Sequence, residues 1–437
     1  YKLIIAMRER LGADEALAPQ QSPWPEDLPA ALALAGELNS EKLAGIEHIT
    51  LGRDVGSALS LNPAVNRWLN HEPAWDGIDW NRYAMRPVVG LVDDPFEARR
   101  RPLVIDMQRG HVALFGGAGW GKTTFLRTLI ISLAATHSPR ELHVFILDLG
   151  GRNLQALRAL PHVGAVILPD EEGYEEQVQQ LLRELGRIVE QRKKLLGDEG
   201  LPHVYQYNAI HPDKALPAIL IALDNFAEFK ESFERHAGRD EGPLDEFITL
   251  ARESRAYGVH FAVTVSNVAA LPTKMFNIFT ERLTLKLTES TEYRTITGMS
   301  VPELEDAPGR GYIKIGRQAY TFQVALPVDL RREGTGAPAG EMQEIRQLAA
   351  TMKAVSGEPA GEMTALRVEP LPRTVSYRQM VARRDGPVPA GDFMDALRDL
   401  TRMHWNGSIA AANADWLAVN LGMAAGNQPR ILKLAAN

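Results

Sequence analysis

The stretch His111–Ala135 reads HVALFGGAGWGKTTFLRTLIISLAA. A short apolar run typical of a strand leads into a glycine-rich turn, and a helical pattern follows. The turn fits G-x-x-x-x-G-K-[ST], with Gly116, Gly121, Lys122 and Thr123 at the fixed positions. Glycines let successive N–H groups turn inward around phosphate oxygens, and the helix N-terminus adds positive charge. The sequence therefore predicts a nucleotide-binding loop made of Gly116, Gly117, Ala118, Gly119, Trp120, Gly121, Lys122, Thr123 and Thr124.

The chemistry of such a loop predicts ATP and Mg²⁺ as cofactors. Lys122 reaches the β- and γ-phosphates, and the Thr123 hydroxyl ligates Mg²⁺. The second group on the magnesium side should be an acid at the end of an apolar strand. Asp224 closes the run AILIALD and fits that position, so we expect Thr123 and Asp224 at the metal. For Trp120 we expect a contribution from the backbone alone, with no chemical role for the indole.

The residue after Asp224 is Asn225, where hydrolysing enzymes of this kind commonly have a glutamate that polarises the attacking water. An amide does not accept a proton at neutral pH, and general-base help is worth roughly 10²–10⁴ in rate. Glu228, one helical turn further on, is an alternative base, but a displacement of ~1 Å can cost ~10²-fold. The sequence predicts a site that binds ATP and turns it over slowly or not at all.

Composition narrows the possible functions. The chain has 437 residues, enough for two or three domains, and carries 55 acidic against 48 basic residues. An acidic chain is not an obvious binder of duplex DNA. It has no cysteine, which excludes disulfides and thiolate chemistry and fits an intracellular location. The longest apolar runs are far shorter than the ~20 residues of a membrane helix. The histidines show no metal-ligand spacing, so no metal beyond Mg²⁺ is indicated.

Apolar runs alternate with helical periods between about Pro87 and Pro327. This order predicts an α/β fold with a mostly parallel sheet and helices on both faces. The long amphipathic helix Tyr174–Leu196 is expected to end at Gly197, with the basic run 192–194 at its terminus rather than in a nucleic-acid patch. The predicted strands are 111–115, 142–149, 163–168, 218–223 and 259–265, followed by the pair ERLTLKL and GYIKIG.

The flanks are richer in proline and glycine, and EGTGAPAG (333–340) has the composition of a linker. They also resemble each other weakly: PVVGLVDDPFEARRRPLVIDM before the glycine loop parallels LAVNLGMAAGNQPRILKLAAN near the end of the chain. We therefore predict the tail of a preceding module and a linker over 1–85, one complete ATPase domain over 86–330, and a linker with the start of a following module over 331–437.

Six motifs together carry a family resemblance. They are GGAGWGKTT, LDLGGRNL, LPHVGAVI, LDNFAEF, RESRAYGVHFAVTVSN and PGRGYI, in that order. The set resembles the FtsK/SpoIIIE-type motor ATPases, which are P-loop NTPases with a RecA-like sheet, and is most similar to the ATPase modules of EccC/EssC, the motor of type VII secretion. The resemblance covers roughly residues 85–330.

The resemblance implies a tandem of modules behind a membrane anchor, in a chain that assembles as a hexamer. Its implied partners are other ATPase modules, the membrane secretion complex and exported helical-hairpin (WXG-type) proteins, with nucleic acid not expected. The location it implies is the cytoplasmic portion of a membrane-anchored protein. Later modules of that family often hold nucleotide without hydrolysing it, and serve in regulation and in docking exported proteins.

Four further features are compared with the family pattern: the acid pair, the sensor position, two arginines and one turn. The pair Asp224-Asn225 and the replacement of a sensor glutamine by Ser266 both depart from the active form and indicate a degenerate, later module. Arg252 and Arg255 occupy the family's arginine positions, either as an arginine finger toward a neighbouring subunit's nucleotide or as a solvated helix face. The turn after Asp148 matches a family turn beside the nucleotide, without an assigned role.

Three functions compete. The first is a nucleotide-dependent docking and regulatory module of a secretion motor, which needs an apolar groove for an amphipathic helix. The second is an active FtsK-like double-stranded DNA translocase, which predicts a basic pore and a glutamate after Asp224. The third is a conjugative or HerA-like motor, which no feature selects. The apolar residues Met275, Phe276, Ile278 and Phe279 either line the groove of the first function or belong to the core.

Overall fold

The computed structural model describes residues 27–38, 43–50, 59–75, 80–171, 173–234, 242–328, 338–355, 418–424 and 428–433. The strands are β1 (Val88–Asp94), β2 (Arg99–Val104), β3 (Val112–Phe115), β4 (Leu142–Asp148), β5 (Val163–Ile167), β6 (Ala218–Asp224), β7 (Val259–Val265), β8 (Glu281–Leu285), β9 (Arg310–Ile315), β10 (Gln318–Val324), β11 (Ala418–Ala424) and β12 (Gln428–Lys433). The α-helices are α1 (Glu47–Thr50), α2 (Pro63–Leu69), α3 (Trp80–Tyr83), α4 (Lys122–Thr136), α5 (Tyr174–Glu199), α6 (Val204–Ile210), α7 (Phe226–Glu234), α8 (Pro243–Glu253), α9 (Thr273–Ile278), α10 (Thr291–Thr297) and α11 (Pro338–Val355).

Ten strands form one sheet in the order β2-β1-β10-β9-β8-β3-β7-β6-β4-β5. Neighbours from β8 to β5 are parallel, whereas neighbours from β8 to β2 are antiparallel. The predicted α/β fold with a mostly parallel core is therefore confirmed. Strands β1, β2 and β10 extend the sheet beyond the strands that the sequence predicts.

The two faces of the parallel strands build two separate cores, as the alternation of side chains requires. Ile146 and Ala222 lie in the core that contains α4, whereas Leu147 and Leu223 lie in the core that contains α5, α7 and α8. Since every residue of β6 is buried, the strand reads as a continuous apolar run that ends in Asp224. Helices on both faces leave the carboxyl ends of these strands at one edge of the sheet.

Helix α5 ends three residues later than predicted. It continues through Gly197 to Glu199, and Gly200 takes the left-handed C-cap conformation with φ 65°. Arg192 is also not part of an exposed terminus, because it is buried and donates from Nη1 to the Tyr257 carbonyl (2.6 Å) and from Nη2 to the Pro217 carbonyl (2.7 Å). Burial lowers its pKa to about 10. It ties α5 to the segments before β6 and β7.

The segments that precede and follow the sheet in the sequence both pack onto the face of the sheet that carries α4. Trp68 and Trp75 donate their indole N–H groups to the carbonyls of Ala135 (3.0 Å) and Ala134 (2.9 Å) at the end of α4. From the other flank, α11 buries Ile345, Leu348, Ala349 and Met352 in the same core. The last three residues of the linker predicted at 333–340 form the first turn of α11, and the others lie outside the described residues. The predicted domain boundaries stay a prediction.

Strands β11 and β12 form a separate antiparallel hairpin. Its register shifts by one residue between Asn420 and Gly422, as the β1–β2 hairpin shifts between Val88 and Gly90. These are the two segments in which the sequence analysis finds a weak repeat. Both segments form an antiparallel hairpin with a similar irregularity, and the repeat stays a prediction.

The helices within the described ranges are all too short or too polar to span a bilayer.

Buried histidines make the stability of this fold depend on pH. Burial lowers the pKa of His111 and His137 to about 4 and that of His162 to about 3, against 6.5 for the exposed ring. The unfolded chain takes up protons below pH 6.5 while the folded chain does not. The contribution of these histidines to the free energy of unfolding is therefore fully present above pH 6.5. It falls as the pH drops toward 4, by about 1–2 kcal/mol per histidine at pH 5.

We predict that the free energy of unfolding in urea falls between pH 7.5 and pH 5.5, and that His162→Gln reduces this fall. Buried carboxyl groups with raised pKa, such as Glu141, act in the opposite direction, so the difference between variant and parent is the quantity to measure. His48, which is exposed and lies 3.8 Å from a Glu47 carboxylate oxygen, supplies the control His48→Gln, which should change the pH dependence less than His162→Gln does. An equal pH dependence in parent and His162→Gln would contradict the assignment.

Candidate nucleotide-binding site

The glycine loop lies between the carboxyl end of β3 and the first turn of α4. Gly119 (φ 80°) and Gly121 (φ 101°) both take left-handed conformations, which glycine adopts without steric cost. The N–H of Gly116 donates to the Val265 carbonyl (3.0 Å), and the N–H of Gly117 to the Lys286 carbonyl (2.8 Å). The loop is thus attached to the ends of β7 and β8, with the α4 N-terminus behind it.

Lys122 lies across this loop. Its Nζ donates to the carbonyl oxygens of Gly116 (2.7 Å) and Gly117 (2.8 Å). Burial lowers its pKa, and the charge of Asp224 opposes that effect. A half-buried ammonium beside backbone N–H groups attracts an anion, and a phosphate can replace the two neutral carbonyls as the acceptor for this ammonium.

The two predicted magnesium ligands are in contact. Thr123 Oγ1 donates to Asp224 Oδ2 at 2.7 Å, and Asp224 is buried at the end of β6. Because the hydroxyl donates its only proton to the carboxylate, the lone pairs of its oxygen are available to a cation. Hard oxygen ligands of this type suit Mg²⁺. The residues present therefore fit the predicted metal.

The other oxygen of Asp224 is held by a residue that the sequence analysis missed. Thr264 Oγ1, on β7, donates to Asp224 Oδ1 at 2.6 Å and accepts the N–H of Asn225 at 2.8 Å. A hydroxyl inside the otherwise apolar end of VHFAVTV was the available signal.

Asp148 stands next to Asp224 in the parallel register of β4 and β6. It is fully buried and accepts the N–H of Leu154 at 2.8 Å. Burial is the largest cause of its raised pKa, and the charge of Asp224 adds to it. The following turn brings Gly150 so close that a Cβ there would lie 2.5 Å from Asp224 Oδ2. The turn after Asp148, for which the sequence predicts no role, therefore packs directly against the Asp224 carboxylate.

Asn225 has a left-handed backbone, with φ 73°. Asparagine tolerates this conformation better than most residues, including glutamate. The alternative base Glu228 is exposed on α7, and its charge acts on the Tyr174 hydroxyl of α5, which packs on the opposite face of the sheet from α4. Asn225 therefore supplies no acid next to Asp224, and Glu228 points its charge toward solvent and Tyr174.

The remaining predicted residues fall at both ends of β7. Ser266 follows Val265, whose carbonyl holds the loop, and its side chain is exposed. Arg252 and Arg255 precede the strand at its amino end, away from the loop of the same chain. Arg255 Nη1 donates to the Gln108 carbonyl (2.7 Å), and Arg252 pairs with Glu253 (3.1 Å). A contact to a neighbouring subunit's nucleotide stays a prediction.

Trp120 uses its side chain as well as its backbone, which the sequence analysis did not expect. Its carbonyl accepts the N–H of Gly309 (3.0 Å), and the Lys286 ammonium lies 5.2 Å from the centre of the indole. Lys286 also pairs with Asp306. These contacts hold the glycine loop against the segment that connects β8 to β9.

The apolar stretch considered for a docking groove belongs mainly to the core. Met275 and Phe279 are fully buried, and Phe276 and Ile278 pack partly buried against the same core. A cavity of about 650 Å³ lies elsewhere, beside β2, and is lined by charged groups such as Arg99, Glu97 and Lys314. It contains no residue of the loop and does not resemble an apolar groove.

We predict that Gly150→Ala pushes Asp224 out of contact with Thr123, because the new methyl carbon would overlap the carboxylate. The Mg²⁺-dependent part of ATP-analogue binding should fall about tenfold or more, and urea unfolding should show a loss of about 1–3 kcal/mol. Gly186→Ala is the control, since no atom lies within 4 Å of its Cβ position in α5; it should be neutral or stabilise by about 0.5–1 kcal/mol. Unchanged affinity and stability in Gly150→Ala would contradict the geometry.

Several known proteins with similar sequences are secretion-system components. The ESX secretion system protein EccC of Thermomonospora curvata is 30% identical over 275 residues, covering 61% of this chain and 20% of that protein. The ESX secretion system protein YukB of Bacillus subtilis is 28% identical over 293 residues, covering 67% and 18%. The chain therefore spans about a fifth of the length of these relatives.

Solved structures agree on the fold. ATPases 2 and 3 of EssC from Geobacillus thermodenitrificans match with a TM-score of 0.62 at 22% identity, over 80% of this chain and 59% of that one. ATPases 2 and 3 of Thermomonospora curvata EccC, in complex with a signal sequence peptide, match with a TM-score of 0.59 at 26% identity, over 82% and 57%.

The conserved-sequence profile of the FtsK/SpoIIIE family matches residues 80–325, which include the glycine loop, Asp224 and the whole ten-stranded sheet. That match covers more than half of the chain. It agrees with the P-loop architecture of the structure. It also agrees with the homology to the ATPase domains of type VII secretion motors. The chain belongs to the FtsK/SpoIIIE family.

Proposed function

We propose that this chain is a nucleotide-binding module of a type VII secretion motor, which binds Mg-ATP with weak or absent hydrolysis and takes part in regulation and in docking exported helical proteins. The observation that carries the proposal is the Asp224 carboxylate held by Thr123 and Thr264, with Asn225 as the next residue. The arrangement has the groups for binding Mg-ATP and has an amide at the position where hydrolysing enzymes commonly have the glutamate that activates water.

Binding would use the loop and the two magnesium ligands. The N–H groups from Gly116 to Thr124 and the Lys122 ammonium would neutralise the phosphates, while Thr123 and Asp224 would hold Mg²⁺. Mg²⁺, when bound, would offset charge on the phosphate oxygens. General-base catalysis would be lost at Asn225, at a cost of about 10²–10⁴ in rate. Ser266, Arg252 and Arg255 are proposed as sensor and intersubunit positions.

The proposed partners of this chain are inferred from those of its relatives. The Thermomonospora curvata EccC structure holds a signal sequence peptide on ATPases 2 and 3, which supports docking of exported proteins on modules of this type. We place the module in the cytoplasmic portion of a membrane-anchored hexamer, beside other ATPase modules. Nucleic acid is not a proposed partner, since the chain has a formal net charge of -7.

We predict that a labelled C-terminal helix of a helical-hairpin protein secreted by the same organism binds this chain saturably in Mg-ATP, and that a short duplex DNA does not. Fluorescence anisotropy at about 0.15 M ionic strength measures both. Lys122→Ala should reduce peptide binding to the level seen without nucleotide. Lys193→Ala is the control, because that lysine is exposed on α5 and pairs only with Glu190 among the contacts described (3.5 Å). Salt-sensitive DNA binding without peptide binding would favour a DNA translocase instead.

A further inference from the structure

Thr264 stands where two neighbouring strands present polar groups to each other. Its strand β7 runs parallel to β6, with Ala262 opposite Ala222 and Val263 opposite Leu223, so Thr264 comes level with Asp224. The side chain is completely buried. Hydroxyl groups in such positions need partners, and Thr264 has two.

The hydrogen-bonding roles of Thr264 are fixed by its neighbours. The Asn225 N–H donates to Thr264 Oγ1 at 2.8 Å, so the oxygen accepts there. The single hydroxyl proton therefore goes to Asp224 Oδ1 at 2.6 Å, a short bond of the charge-assisted kind. One hydroxyl thus fixes the rotation of the Asp224 carboxylate and the orientation of the peptide between residues 224 and 225.

Both constraints bear on magnesium. With Oδ1 held by Thr264, Oδ2 is aimed at Thr123 (2.7 Å) and at the first turn of α4. With its N–H held by Thr264, the backbone of Asn225 is fixed at φ 73°, directly after the proposed magnesium ligand. Ser266, the sensor position predicted from the sequence, is exposed and has no such bond to Asp224.

We propose that Thr264 is a positioning residue for magnesium: it presents Asp224 to the Mg²⁺ of the bound nucleotide, a role separate from the sensor position proposed for Ser266. The inference rests on the proposed function, because it needs Mg-nucleotide as the ligand. It concerns the metal-dependent part of binding alone, since Thr264 touches neither the loop nor Lys122 in the contacts found.

The test compares affinities for a non-hydrolysable ATP analogue in Mg²⁺ and in EDTA. Thr264→Val keeps the shape and removes the hydroxyl, so the enhancement of affinity by Mg²⁺ should fall about tenfold, or about 1.4 kcal/mol, while affinity in EDTA stays at the parent value. Thr264→Ser restores the hydroxyl and should recover the enhancement. If Thr264→Val does not fold, Thr264→Ala against Thr264→Ser gives the same comparison.

Thr284→Val is the matched control. Thr284 is equally buried, lies on β8 at the other side of β3, and donates to the Leu285 carbonyl (2.8 Å). Its loss should leave the Mg²⁺ enhancement unchanged. An undiminished enhancement in Thr264→Val, or an equal loss with and without Mg²⁺, overturns the inference and leaves the proposed function standing. A parent protein that binds no analogue in either condition overturns the proposed function, and the inference with it.

Discussion

The hydrogen bond from Thr123 to Asp224 joins the two parts of the candidate site. It links the first turn of α4 to the end of β6, two strands away from the strand that carries the loop. Its 2.7 Å length depends on the position of the α4 N-terminus and on the parallel register of β3, β7 and β6. Any change that shifts α4 against the sheet would separate the loop from the carboxylate.

The flanking segments help to hold α4 in place. Trp68 and Trp75 donate to the last carbonyls of α4, and Glu341 of α11 forms a largely buried ion pair with Arg127 in the second turn of α4. A buried pair of this kind is costly to break from one side, because the remaining charge is left unpaired. Segments that compositionally resemble linkers thus contribute to the geometry of the nucleotide site.

Much of this site can be predicted from the sequence, because a glycine pattern between a strand and a helix has few structural solutions. The loop, the strand ending at Asp224 and the parallel order needed no other information. Thr264 required the register between β6 and β7, which pairs residues 40 positions apart. Arg192 looked like a helix terminus because burial is not visible in a charge run. The end of α5 was missed because Gly197 and Gly200 both fit a C-cap by residue type.

The function depends on the residue next to Asp224. A carboxylate fixed by two hydroxyl groups is suited to hold a magnesium-bound nucleotide, and an asparagine in a left-handed turn is not suited to activate water. The most direct measurement is the chemical identity of nucleotide retained by the purified chain after incubation with Mg-ATP, desalting and acid quenching. Intact ATP after many minutes is the predicted result. Conversion to ADP at about 1 s⁻¹ or faster, as in ordinary enzymes, would contradict it.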